Sequence, residues 1–205
     1  CCSGMSNLTS VTIPNSVKTL GYSAFANCSV LNHVEFPNSI EDCAHYVFEN
    51  CPDIVTPIYN SHVFAYLPVS YTGAYTIPDG IKIVAGGSFA FCNNLTSVSF
   101  PNSVKSIKAQ AFYQCSNLEY VSFGDNLEII EDGAFYGCSK LSDVHFPNSL
   151  KSINGIDQGF AGAFGRCSSL RSIIIPDSVY DIGALSFDGC SNLESVILGN
   201  GVINI

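Results

Sequence analysis

The cysteines and histidines are the residues of this 205-residue chain that could carry redox, metal or nucleophilic chemistry, and there are ten and four of them. Ten cysteines would ordinarily indicate a disulfide framework in a secreted protein. Seven of them, however, recur at gaps of 23, 41, 23, 23, 29 and 23 residues, and these are Cys28, Cys51, Cys92, Cys115, Cys138, Cys167 and Cys190. A fixed period in the twenties predicts a stacked solenoid whose coils repeat one local structure.

The repeat position of the seven cysteines predicts that they are free thiols in the core. A residue at one fixed position points the same way in every coil, and here it accompanies inward phenylalanine and leucine. Coils stacked at strand spacing lie about 4.8 Å apart, which a disulfide could span, but parallel Cβ vectors disfavour the bond. A buried free cysteine packs as a small hydrophobic residue. Cys43 takes another apolar position and is predicted to be buried as well.

The histidines form two pairs with carboxylates, His33 with Glu35 and Asp143 with His145. The pairs lie five coils apart, roughly 24 Å at strand spacing, and cannot share an ion. Two ligands alone do not make a zinc site. For catalysis the nearest arrangement is His33 with Ser10 one coil away, and no carboxylate is placed to complete a triad. We therefore predict no metal, no cofactor and no enzymatic activity. The alternative, an enzyme built on the repeats, would need a unique polar pocket, and the irregular segment 57–75 is the place for one.

The elements that position these residues are read from the regular unit Leu95–Cys115. Alternating apolar residues at its start predict a short strand, and Pro-Asn-Ser predicts a turn. A second short extended piece follows. Ala-Phe-x-x-Cys is too short for a full helix and is predicted to be a tight helical or 3₁₀ turn. The fold class is thus a β-rich α/β repeat solenoid with a repeat of about 23 residues, one unit of which cannot bury its own apolar face.

Two departures from the repeat are visible within a predicted single domain over residues 1–205. Near 52–78 the pattern breaks at Pro57 and Pro68; Ile58–Leu67 reads as a hairpin with Asn60-Ser61 at its tip, and Tyr66 is expected to take the phenylalanine position. A six-residue insertion lies near 154–159. It is either a plain tolerated loop or a binding loop on one face of the solenoid.

The net charge, the apolar runs and the chain ends indicate which classes of protein are not expected. The net charge is −9, and the eight basic residues form no stripe, which argues against nucleic-acid binding. No apolar run approaches about 20 residues, so membrane insertion is not expected. Both ends cut through the repeat, which is typical of a fragment of a longer repeat protein. Uncapped repeats would allow end-to-end association, and a lipid-anchored Cys1 is an alternative interpretation of the first residue.

The frame Leu-x-x-Val-x-Phe-Pro-x-Ser-Val-x-x-Ile-x-x-x-Ala-Phe-x-x-Cys, as in Leu95–Cys115, resembles the treponemal-type leucine-rich repeats of BspA-like surface proteins. The resemblance covers essentially the whole chain. It implies a curved, right-handed solenoid with one parallel sheet on the concave face. It also implies a bacterial or protozoan protein, on the cell surface or secreted, that is used for adhesion.

Binding is expected on the outward side of the first strand of each unit. Alternation places two ladders of outward residues there, which include Ser97 and Ser99, Ser122, Ile58, Ile174, and the group Tyr120, Asp143 and His145. Aromatic residues dominate binding hot spots, so Tyr120 with Asp143 and His145 is the preferred anchor. The predicted function is a non-enzymatic surface or secreted module that binds a protein or glycan. The alternatives are that these residues are merely solvated strand residues, or that the chain is a structural spacer presenting another domain.

Overall fold

The computed structural model describes residues 2–154 and 161–205, and in these ranges it contains sixteen short strands and no helix. The strands are β1 (Ser10–Thr12), β2 (Thr19–Leu20), β3 (His33–Glu35), β4 (Asp42–Cys43), β5 (Ile58–Tyr59), β6 (Val63–Tyr66), β7 (Gly73–Thr76), β8 (Ile83–Val84), β9 (Leu95–Ser99), β10 (Ser106–Ile107), β11 (Tyr120–Ser122), β12 (Ile129–Ile130), β13 (Ser152–Ile153), β14 (Ser172–Ile174), β15 (Asp181–Ile182) and β16 (Ser195–Ile197). Each regular coil contributes two strands and one turn segment.

The first strand of each coil forms the first-strand face, which is built from parallel pairs. Ser97 pairs with Tyr120 and Ser99 with Ser122, an offset of 23 residues that confirms the predicted repeat. The face is not one continuous sheet. In the described residues it consists of β1–β3, then β7–β9–β11, then β14–β16, with one bridge from Tyr120 to Asp143. The first gap falls at Pro57, which has no backbone N–H to donate to a neighbouring strand.

The second strand of each coil forms the larger sheet. Seven strands associate in the order β15-β13-β12-β10-β8-β6-β5, and β2–β4 form a separate pair. The expectation of one parallel sheet, carried by the first strands, is therefore incomplete: the chain stacks strands on two sides of the coil. Two-residue strands suffice because the side chains beneath them are buried against both neighbouring coils.

The third side of the coil is a stack of turns. The expected helical or 3₁₀ turns, and with them the α/β class, are therefore not found in residues 2–154 and 161–205. The amide of Phe112 donates to the carbonyl of Ala134 in the next coil at 2.7 Å, while the amide of Ala111 donates back to Lys108 at 3.2 Å. Along this segment, backbone amides thus alternate between donating a hydrogen bond within their own coil and donating one to the next coil. A helix would use all of them internally and leave the coils unlinked on this side. Left-handed residues such as Gln114, with φ 59°, produce the alternation.

Ladders of identical residues fill the core. The rings of Phe89, Phe112, Phe135 and Phe164 stack at centroid distances of 4.4, 5.0 and 5.1 Å, and all four side chains are fully buried. Two clusters of buried residues result, one on either side of the hairpin β5–β6. Stacked or offset aromatic pairs at these distances add to the free energy of burial.

The cysteine ladder has the predicted state. The eight cysteines from Cys28 to Cys190 are free, and all of them are buried. The thiol of Cys115 donates to the carbonyl of Phe89 in the preceding coil at 3.0 Å, and that of Cys138 donates to Phe112 at 3.3 Å. Each thiol therefore satisfies a carbonyl in the adjacent coil as well as filling space. Cys1 lies outside the described residues.

The irregular coil contains the predicted hairpin. Strands β5 and β6 pair antiparallel, with Ile58 opposite Tyr66, and Asn60 lies in the turn. By its backbone hydrogen bonds, however, Leu67 and not Tyr66 takes the phenylalanine position, and the ring that stacks on Phe89 at 4.7 Å is that of Phe64. The thiol of Cys92 lies 3.7 Å from the carbonyl of Leu67, which is the contact that the other thiols make with phenylalanine. Tyr66 instead packs its ring against Phe48 of the preceding coil, with centroids 6.1 Å apart.

Asn60 holds the hairpin to the coil before it. Its amide nitrogen donates to the carbonyls of Pro37 at 3.1 Å and Ile40 at 2.8 Å, and its carbonyl oxygen accepts from the amides of His62 at 2.9 Å and Val63 at 2.7 Å. The side chain is 8% exposed. Of the insertion predicted near 154–159, residues 155–159 lie outside the described ranges.

We expect Asn60→Ala to lower the free energy of unfolding by about 2–4 kcal/mol, because it leaves buried backbone donors and acceptors without partners. Urea unfolding followed by circular dichroism measures the change. The exposed neighbour Ser61→Ala is the control and should change stability by less than about 0.5 kcal/mol. Equal stability of the two variants would show that the four hydrogen bonds contribute nothing net.

Candidate functional site

The predicted outward residues of the regular coils do share one surface. Strands β9 and β11 align Ser97 with Tyr120 and Ser99 with Ser122, and a bridge adds Asp143 beside Tyr120. The Tyr120 side chain is 48% exposed. Strand alternation explains this directly, since the residues between them, such as Val121, are buried.

Asp143, His145 and Ile174 line a groove on this surface. The Nδ1 atom of His145 lies 3.4 Å from a carboxylate oxygen of Asp143. The groove has a volume of about 260 Å³, and Phe146 and Pro176 supply apolar walls. It lies between two coils that make no strand pair here within the described residues, since β14 pairs only with β16. We call it the 143–174 groove.

The groove combines an exposed apolar wall with a polar rim. Ile174, the last residue of the paired strand β14, is 63% exposed, an unusual state for isoleucine. Ser172 and Asn148 add a hydroxyl and an amide. Such a site can bury an apolar side chain of a partner and orient its backbone through hydrogen bonds. Sequence reasoning selected three of these residues but did not predict the break in strand pairing that opens the groove.

The other predicted binding residues do not line this groove. Ser97, Ser99 and Ser122 lie on the neighbouring paired strands and form a small, hydroxylated surface beside Tyr120. Ile58, expected to face outward in the same ladder, is 6% exposed within β5. That expectation was wrong because Pro57 ends the first-strand pairing, and the chain turns into the hairpin instead.

A second groove lies at the Pro57 gap and was missed from the sequence. Its volume is about 300 Å³, and its lining includes His33, Phe36, Thr56 and Tyr59. The Nε2 atom of His33 lies 3.9 Å from the Glu35 carboxylate. Pro57 itself is the signal that could have revealed this groove, since a proline at a strand position cannot donate the backbone hydrogen bond that pairs neighbouring strands.

In the part of the chain that the structure describes, histidine, cysteine and acidic side chains do not gather in larger clusters. No group of three or more histidine, cysteine or acidic residues that could hold an ion occurs in residues 2–154 and 161–205. A serine–histidine contact missed from the sequence joins Ser61 Oγ and His62 Nδ1 at 2.9 Å. It lies on the exposed hairpin tip and lines neither groove. Ser10 pairs with His33 as expected, on strands β1 and β3.

The buried thiols are also poor nucleophiles. Burial raises the pKa of Cys92 to about 12, and it raises the pKa values of Cys115, Cys138 and Cys167 well above the usual value near 9. The thiolate is the reactive form of cysteine, so these groups are inert at neutral pH. The repeat cysteines are therefore structural.

Solved structures similar to this chain are bacterial leucine-rich repeat proteins. A leucine-rich cell surface protein from Faecalibacterium prausnitzii is 24% identical, with a TM-score of 0.69 over 94% of this chain and 60% of its own. The leucine-rich repeat protein of T. pallidum is 35% identical, with a TM-score of 0.59 over 65% of this chain and 62% of its own. One from Bacteroides ovatus is 29% identical, with a TM-score of 0.60 over 96% of this chain and 56% of its own.

This chain thus spans roughly three fifths of the length of those structures. No curated protein sequence matches it. Within the described residues, no helix has the length and apolarity to cross a membrane. The model of the BspA-type leucine-rich repeat region matches in six copies, over residues 1–68, 58–156 and 160–205. The resemblance seen in the repeat frame is thereby confirmed, and the chain belongs to the BspA-type leucine-rich repeat family.

Proposed function

We propose that this chain is a non-enzymatic recognition module of a cell-surface or secreted protein, and that it binds a protein or glycan partner at the 143–174 groove and the adjoining Tyr120. One observation carries the proposal. The residues selected by outward position and chemistry, Tyr120, Asp143, His145 and Ile174, surround or adjoin a groove at a break in the strand ladder.

The physical argument is that this site offers an anchor and an orienting group. Tyr120 and Ile174 present exposed apolar area, which a partner would remove from water. The Asp143–His145 pair can accept and donate hydrogen bonds at the rim. Leucine-rich repeat solenoids expose extended faces that suit protein recognition. A location at the cell surface is supported by the similar structure from F. prausnitzii, which is that of a cell surface protein.

The competing function is a structural spacer that holds another domain away from a surface. It needs no groove and no exposed anchor, so the exposed Tyr120 and Ile174 favour recognition. A folded chain that binds no partner, while its parent protein loses function on its deletion, would support the spacer instead.

We expect the Tyr120→Ala/His145→Ala double variant to bind its partner at least tenfold more weakly, because it removes the aromatic anchor and the rim donor. Binding to a panel of extracellular-matrix proteins and glycans is measured by biolayer interferometry. Both residues are exposed, so the melting temperature should change by less than about 2 °C.

The matched control is Tyr59→Ala/His33→Ala, which makes the same two replacements at the groove beside Pro57. It should bind like the unmodified chain. Loss of binding in the control alone would place the site in the groove beside Pro57. If both variants bound as tightly as the unmodified chain, the first-strand face would be rejected as the binding surface.

A further inference from the structure

The shortened coil leaves a cavity on the turn side of the solenoid, away from both grooves. Its volume is about 220 Å³, and its lining consists of Tyr46, Glu49, Asn50, Tyr66, Val69, Gly87, Ala90 and Phe91. Three of these residues are aromatic and one is acidic, and none is basic. We call it the turn-side cavity.

Two of its aromatic residues stand on unfavourable backbone. Tyr46 has φ 60° and Phe91 has φ 62°. Bulky residues rarely adopt the left-handed region, which glycine or asparagine fills more readily. The position of Phe91 is taken by Gln114 and Gly137 in the next two coils. Other coils adopt the same backbone at these two positions, as at Gln110 and Gln114, so the left-handed φ belongs to the repeat. What distinguishes the cavity is that both positions beside it hold aromatic residues.

The ring of Tyr46 is positioned by Gly87. A Cβ atom on Gly87 would lie 2.4 Å from Cδ1 of Tyr46, so only glycine allows the ring to lie against this backbone. Phe91 is 42% exposed, whereas Tyr66 is almost fully buried. Packing thus holds the rings of Tyr46 and Tyr66, and Phe91 adds an exposed aromatic wall.

Glu49, the acidic residue that lines the cavity, differs from the other glutamates in its ion pairing. The other six glutamates lie 2.8–3.9 Å from a basic nitrogen, mostly in a neighbouring coil. For Glu49 no such ion pair occurs in the described part of the chain. Burial raises the pKa of Tyr46, and the Glu49 carboxylate raises it further, so the negative potential reaches the aromatic wall.

We propose that the turn-side cavity binds the side-chain ammonium of a lysine on a partner polypeptide. Aromatic faces and a carboxylate together attract a cation, and a four-carbon stem fits the apolar wall formed by Val69 and Ala90. The single carboxylate suits the compact charge of lysine, whereas arginine prefers a bidentate partner. The net charge of −9 attracts a basic segment.

A recess beside the turn-side cavity favours a lysine within a polypeptide, and not a free amine, as the ligand. It has a volume of about 410 Å³, shares Asn50 and Val69 with the cavity, and adds Asn27 and Ser29. The amide of Asn50 donates to Oδ1 of Asn27 at 3.0 Å, which leaves the other amide atoms available to peptide groups. The backbone flanking a bound lysine would lie in this recess.

The test is an NMR titration of the full chain with the capped pentapeptide Gly-Gly-Lys-Gly-Gly. We expect saturable shifts of the backbone amides of Tyr46, Asn50 and Phe91. The norleucine analogue, which has no charge, should bind at least tenfold more weakly, and butylammonium should also bind more weakly than the pentapeptide. Phe91→Gln, which copies the next coil, should weaken pentapeptide binding at least threefold.

Glu49→Gln should weaken binding at least fivefold, while the control Glu41→Gln makes the same change of net charge at a lysine-paired glutamate and should leave binding unchanged. Absence of saturable shifts, equal binding of the norleucine analogue, or equal losses in the two glutamate variants would overturn the site. Equal affinities for butylammonium and the pentapeptide would overturn the assignment to a polypeptide.

Discussion

Raising the pH from 8 to 10 is expected to lower the free energy of unfolding by about 5 kcal/mol or more, because buried thiols can ionise only in the unfolded chain and four of them alone account for that amount. These four are Cys92, Cys115, Cys138 and Cys167, which have no exposed surface. Burial also raises the pKa values of Cys43, Cys51 and Cys190 to about 12, 11 and 11, so these thiols act in the same direction. In the folded chain, burial holds the pKa of Cys92 at about 12 and the pKa values of the other three well above 9. Between pH 9 and about 12 the unfolded chain therefore binds fewer protons than the folded chain, and stability falls as pH rises.

The size of this effect follows from the thiols acting together. One pH unit above the unfolded-state pKa near 9, each thiol contributes about 1.4 kcal/mol to the difference between the two states. Four such groups give the total stated above. Urea unfolding at pH 7, 8, 9 and 10, with reductant present, measures it. Below pH 8 the stability should not respond to these groups.

Cys115→Ala serves as the control for this interpretation. The variant loses stability at neutral pH through lost packing, but it also removes one ionisation. Its further loss of stability between pH 8 and 10 should be smaller than that of the unmodified chain by about 1.4 kcal/mol. An unchanged pH dependence in the variant would mean that the alkaline loss of stability arises elsewhere.

Phe112→Ala is expected to destabilise the chain by about 3–5 kcal/mol, because it opens a cavity in the middle of the phenylalanine stack. The ring lies 4.4 Å from Phe89 and 5.0 Å from Phe135, and it meets Phe100 edge-on at 5.7 Å. No side chain can collapse into the space, since coils on both sides are fixed by backbone hydrogen bonds such as that from Phe112 to Ala134.

The same substitution at Phe187 gives a matched comparison. This ring is only partly buried and stacks on Phe164 at 5.6 Å near the last coil. We expect Phe187→Ala to cost about 1–2 kcal/mol, since less area leaves water and the site can relax. Urea unfolding of both variants measures the two losses of unfolding free energy. Equal losses at the two positions would show that neighbour stacking on both sides adds nothing to the stability of a coil.

Much of the fold can be predicted from the sequence because every coil repeats the same constraints. The 23-residue spacing of Cys92, Cys115 and Cys138 predicts which residues become neighbours, and strand pairs such as Ser97 with Tyr120 have that offset. Alternation around Val121 predicts which side chains face outward. The hairpin at Asn60 follows from proline placement and a turn signal. These features depend on local patterning, which a sequence carries directly.

The helical turn was predicted wrongly for a physical reason. The segment around Ala111 and Phe112 has the composition of a short helix, but half of its amides bond to the next coil. That choice depends on how closely two coils stack, which no single unit contains. Leu67 took the place expected for Tyr66 for a related reason: the shortened coil aligns by its backbone hydrogen bonds and not by its aromatic residue.

The sequence by itself determined the family, the repeat register, the buried thiols and the outward position of Tyr120, Asp143 and His145. Only the tertiary structure decided where the strand ladder opens and where the shortened coil leaves the turn-side cavity. Inward positions are set by a period that each coil shares, and burial enforces them everywhere. Grooves and cavities arise where two neighbouring coils fail to match, and a mismatch is a property of the pair of coils that only their stacking reveals.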